Sequence, residues 1–132
     1  MIIAAITDDS KTISLHFGRA QYYMVLIVED GNITSRQLRS KLGHNQFASQ
    51  PHEAEEHGPG HGLDAAAHDK HLQMSDAIAD CEAVLCRGMG MGAYQSMQAR
   101  GIRPVVTDIA DIDEAALAYA AGKIVDHTEK LH

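Results

Sequence analysis

The chain has 132 residues, 45% of them hydrophobic, and a formal net charge of -7. That length fits one compact domain, and with no Trp, two Phe and four Tyr its core must be mostly aliphatic. The acidic balance argues against a general nucleic-acid binder, which carries a basic face, and no segment approaches the roughly 20 apolar residues of a membrane span.

The start, MIIAAITDDS, has no positive leader region and too short an apolar run for a signal peptide, so a cytoplasmic protein is expected. IIAAIT (2–7) is short, apolar and closed by polar residues, which predicts a buried strand. YYMVLIVED (22–30) is rich in β-branched and aromatic residues and predicts a second strand. A hairpin signal, DGN, follows, and 33–42 would be the return strand, charged as an edge strand should be. Residues 43–72 have no clean period and crowd His, Gly and Glu together, as in a long loop. From about Leu72 a helix could begin, with Met74 and Ile78 on one face.

EAVLC (82–86) predicts another strand, 91–100 a helix capped by Gly101, and IRPVVTD (102–108) a last strand. Residues 111–122 open on an Asp111/Glu114 capping-box pattern and end on Gly122, a helix with both ends marked. The remaining residues, 123–132, read as a polar tail. The order predicts an α/β fold: a mixed five-stranded sheet, with an early antiparallel hairpin and later parallel crossovers, flanked by helices.

Two stretches carry residue types suited to a ligand. One is SLHFGRAQYY (14–23); the other is CRGMGMG (86–92). In such a sheet, ligands collect beyond the carboxyl ends of parallel strands, and both stretches would reach that edge. Gly88, Gly90 and Gly92 would let the backbone turn and aim amides outward at the start of a helix, a place that favours an anion. Arg19 adds a delocalised cation, and Arg87 could add a second. His16 could ligate a metal through nitrogen, and Cys86, Met89 or Met91 through sulfur. Each residue also has a plainer reading. The glycines could serve only a tight turn, the methionines fill the core, His16 bond a backbone carbonyl, Arg19 pair with Asp8 or Asp9, and Cys86 be a small buried residue.

Ser14, His16, Phe17, Gly18, Arg19 and Ala20 match an S-x-HFGRA loop, and Gly88, Met89 and Gly90 match a GGMG-like turn, with Arg87 where glycine is common. By these motifs the chain resembles the dinitrogenase iron-molybdenum cofactor-binding (cofactor biosynthesis) family, as a small stand-alone member, and the resemblance spans nearly the whole chain. It implies a three-layer ribonuclease H-like domain over 1–122. It implies a non-catalytic role: binding, carrying or helping assemble a metal–sulfur cluster of Fe-Mo-S or Mo-Cu-S type. Cluster donor or acceptor proteins would be its partners. A stand-alone member would lack the radical-enzyme domain of some larger relatives. The implied cofactor-binding residues are those of the two motifs, Ser14 and His16 to Arg19, and Arg87 to Gly92, with His16 and Cys86 as candidate metal ligands.

Six of the nine histidines lie at 44, 52, 57, 61, 68 and 71. His57 and His61 are four apart, but Pro59 and three glycines in HGPGHG defeat a helix there. His68 and His71, three apart within LDAAAHDKHLQ, are the more credible helical pair. The spacing fits no closed zinc motif. The loop is therefore open to three readings: no specific metal, a lid over the glycine turn, or a divalent-metal (Zn, Ni or Cu) module that would be the alternative function. An enzyme is the remaining class. Asp8, Asp9 and Asp108 could gather for nuclease chemistry, but the glycine turn lacks the Lys-Ser/Thr of a P-loop.

Overall fold

The computed structural model describes residues 1–41 and 74–131; the His-rich loop, including His57, His61, His68 and His71, lies outside them. Five strands make one sheet: β1 (Ile2–Thr7), β2 (Tyr22–Glu29), β3 (Asn32–Ser40), β4 (Ala83–Cys86) and β5 (Arg103–Val106). Their order across the sheet is β3-β2-β1-β4-β5. β2 is antiparallel to β1 and β3, whereas β1, β4 and β5 are parallel. The described helices are α1 (Met91–Ala99) and α2 (Ile112–Ala120), with a helical turn at 74–76 and a 3-10 turn at Thr128–Lys130. The expected α/β class and mixed sheet are present.

The strand interiors explain the order. β4 is buried at every residue, and β1 from Ile3 onward, so both take the centre, where parallel strands are covered on both faces. β3 is mostly exposed and takes an edge. Asp30 and Gly31 both have positive φ (53° and 78°), the geometry a two-residue hairpin needs. Arg36 pairs with Asp113 of α2, and Arg39 pairs with Asp80 at 2.7 Å, so the edge strand's charges are tied to elements that pack against the sheet. At α2, the Asp111 carboxylate accepts the Glu114 amide at 2.8 Å, and Gly122 takes φ 74° after the last turn.

The C-terminal segment differs from the polar tail read in the sequence. The Asp126 carboxylate accepts the Val106 amide at 2.9 Å, and the His127 amide donates to the Val106 carbonyl at 2.7 Å. Leu131 bridges Met89, and Lys130 pairs with Asp108. The physical reason is β5's outer edge: its backbone groups need partners, and this segment supplies them. Most of its exposed side chains are polar, Val125 being apolar, which is why composition alone resembles a tail.

Candidate functional site

Thr7 ends β1 and is fully buried, and its hydroxyl organises the next turn. It donates to the Thr12 carbonyl at 2.7 Å and accepts the Ser10 amide at 3.0 Å. Asp9 closes the turn from outside. Its Oδ1 accepts the amides of Lys11 (2.9 Å) and Thr12 (2.7 Å), and its Oδ2 accepts the Thr12 hydroxyl at 2.8 Å. These bonds, the two backbone amides foremost, hold the Asp9 carboxyl well below the usual carboxylate range. Asp8 is also engaged: it accepts the Ser14 hydroxyl at 2.9 Å and the Gln21 amide at 3.0 Å.

Apolar pins hold the loop to the body. Ile13, Phe17 and Ala20 are buried, while Leu15, His16 and Arg19 between them are exposed. Backbone bonds add to this: the Ser14 amide donates to the Ile6 carbonyl at 3.0 Å, and the Ile13 amide to the Ala110 carbonyl at 2.7 Å. The second motif meets the loop at Gly88, whose carbonyl accepts the Phe17 amide at 3.0 Å. A Cβ on Gly88 would stand 2.5 Å from the Leu15 carbonyl oxygen, so only glycine lets the two stretches lie this close.

Together they enclose a cleft of about 410 Å³ at the carboxyl ends of β1 and β4. Ser14, His16, Arg19 and Arg87 line it, with Asp8, Asp9 and Leu15. Among the described residues, Arg19 and Arg87 make no hydrogen bond or ion pair, and the His16 ring makes no hydrogen bond. The alternative pairing of Arg19 with Asp8 or Asp9 is not present; those carboxylates are used by their own loop. The cleft thus presents two guanidinium groups with open donors, beside two carboxylates that each already accept hydrogen bonds from backbone amides and hydroxyls.

The other sequence-derived site residues sit elsewhere. Phe17, Gly88 and Met89 are buried, and Gly18 is exposed outside the cleft lining. Gly90 is the N-cap of α1, with Met91 and Gly92 in its first turn, and none of the three lines the cleft. Cys86 is fully buried and donates its thiol to the Val105 carbonyl at 3.5 Å. Burial, foremost, pushes that thiol up to about 12, so at neutral pH it is a protonated core group rather than a thiolate facing a ligand. Among the described residues no three His, Cys, Asp or Glu side chains are grouped to chelate a metal ion. The residues that the motifs alone did not mark are Asp9 and Thr12, which shape the cleft, and Lys41 beneath it. The run TDDSKT was the available signal for the first two, since Asp and Thr commonly close turns on their own backbone.

Comparison with known proteins gives the chain's family and its fold. The FeMo cofactor biosynthesis protein NifB of Frankia alni is 26% identical over 125 residues, which is 95% of this chain but 22% of that protein's length. The chain therefore spans about a fifth of the curated relative it matches. The structure of PH0822 shares the fold with a TM-score of 0.60 at 22% identity, covering 96% of each chain. The apo orange protein of Desulfovibrio gigas does so with a TM-score of 0.62 at 18% identity, covering 93% of this chain and 89% of that one. The family model for the dinitrogenase iron-molybdenum cofactor matches residues 1–122, which contain both walls of the cleft, and the chain belongs to that family.

Proposed function

We propose that the protein is a non-catalytic carrier or assembly factor for an anionic metal–sulfur cluster, iron–molybdenum or a related Mo, Fe or Cu sulfide, held in the cleft between the HFGRA loop and Arg87. The observation that carries this is a pair of arginines, one from each wall of the cleft, beside carboxylates that already accept hydrogen bonds from the loop. Guanidinium groups form charge-assisted hydrogen bonds to anions and tolerate partial burial. A sulfide cluster is an anion with many acceptor atoms, so donors can hold it without a chelating set. His16 is placed to offer one nitrogen to an exposed metal atom.

Family membership and the likeness to the orange protein support a cofactor-associated role. The strand order, with only β2 antiparallel to its neighbours, supports the ribonuclease H-like assignment. A nuclease reading has less behind it. Asp8 and Asp9 are tied to their loop and Asp108 to Lys130 and His127, so no free carboxylate cluster faces the cleft among the described residues.

The test is anaerobic loading with iron, molybdenum or copper plus sulfide, followed by desalting, absorption spectroscopy and metal and sulfide analysis. The expected result is a visible charge-transfer band with near-stoichiometric metal and sulfide, lost in Arg19→Ala and kept when residues 44–71 are deleted. Metal retained without sulfide, and lost only with that deletion, would replace this reading with the divalent-metal module.

A further inference from the structure

β3 ends at Ser40, paired with Tyr22 at the start of β2. Lys41 extends that ladder by one bond, its amide donating to the Gln21 carbonyl at 3.0 Å. The ladder thereby fixes where the lysine side chain begins, and that side chain turns inward: Lys41 is 3% exposed. Its ammonium donates to the Phe17 carbonyl and, at 3.1 Å, to the Ala20 carbonyl, and stands 4.5 Å from the centre of the Phe17 ring. A buried ammonium is tolerated only where its donors find partners, and two backbone carbonyls and an aromatic face are among them here.

Those two carbonyls bracket Gly18 and Arg19. The amides of Arg19 and Ala20 both donate to the His16 carbonyl, each at 3.2 Å, so the turn is closed from within by His16 and from beneath by Lys41. We propose that Lys41 is a positioning residue: its ammonium gathers the Phe17 and Ala20 carbonyls so that the turn between them holds Arg19 at the cleft. What Arg19 then binds rests on the reading given above; the clamp itself does not.

The experiment compares unmodified protein with Lys41→Met, which keeps the apolar stem and removes the donors, using amide hydrogen exchange and anaerobic titration with tetrathiomolybdate. In Lys41→Met the Arg19 and Ala20 amides should exchange at least about tenfold faster, while Ile3 and Leu85 in the sheet should not. Affinity should fall about tenfold, and by no further amount when the change is made in an Arg19→Ala background. Unchanged exchange at Arg19 and Ala20, a uniform acceleration throughout the sheet, or a full additional loss on top of Arg19→Ala would overturn the proposal. If the unmodified protein does not bind tetrathiomolybdate, the cluster reading fails and the exchange result alone judges Lys41. If Lys41→Met does not fold, Lys41→Arg, which keeps donors and charge, should retain slow exchange at both turn amides, and fast exchange in that variant would overturn the clamp.

Discussion

The loop 8–20 and the turn 86–92 meet at one cleft but are built oppositely. The loop buries three apolar pins and exposes its histidine and arginine. The turn buries Cys86, Gly88 and Met89 and contributes one side chain, Arg87, to the cleft. Glycine-rich sequence at a strand end suggests a cradle of amides, yet here Gly88 is small because another backbone crosses it. One stretch lines the cleft with several polar side chains, and the other packs closely against it and adds Arg87.

The sharpest way to break this contrast is Gly88→Ala. The new methyl would meet a backbone oxygen that cannot rotate away, which should cost about 2–3 kcal/mol and lower the melting temperature by roughly 5–12 °C. Thermal unfolding checks it, and a melting temperature within 2 °C of the parent would mean the two stretches are not in contact. Arg19→Ala should do the reverse. The side chain is exposed and has no ion-pair partner among the described residues, so stability should hold. Loss of charge-assisted hydrogen bonds worth about 1.5–3 kcal/mol should weaken tetrathiomolybdate binding by roughly 10–100-fold in a calorimetric titration.

Much of this contrast was legible in the sequence and some was not. Strand and helix positions were, because β1 and β4 are continuous apolar runs and the DGN turn and the Asp111 cap have local chemistry. Ser14, His16 and Arg19 were marked by their motif and do line the cleft. The parts that were not legible depend on distant contacts. Cys86 and Met89 have the right chemistry for a soft metal but point into a core whose other side comes from β5 and the C-terminal segment. That segment resembled a tail because its partner is the backbone of β5, which leaves no pattern in its own side chains. Lys41 lay at the end of a charged strand, and nothing local distinguishes a buried lysine from a solvated one.

Smaller effects sharpen the comparison further. Arg87→Gly should weaken tetrathiomolybdate binding about three- to tenfold and flatten its salt dependence, since one of two cleft cations is gone. Cys86→Ala should leave that binding unchanged and cost about 1 kcal/mol through a small cavity, and the parent thiol should resist alkylation at pH 8 until the chain unfolds. A tenfold loss of binding in Cys86→Ala would move the chemistry to the turn. Least of all, Asp9 should titrate below its ordinary value of 3.8. Because its folded value is lowered, its support for the loop is complete at neutral pH and is lost as pH falls below that ordinary value toward the folded one. The Lys11 and Thr12 amide shifts in NMR would follow that titration, and an ordinary midpoint would mean the turn is open in solution.

The most direct test of the central claim is to map tetrathiomolybdate onto the protein by NMR, following every backbone amide and the arginine side chains under anaerobic titration. If the cleft is the site, the largest shifts will fall at Ser14 to Arg19 and at Arg87, the Arg19 and Arg87 side-chain signals will move together, and Cys86 and Val105 will stay still. Shifts centred on Gly90 to Gly92 or confined to residues 44–71, with Arg19 unmoved at saturation, would contradict it.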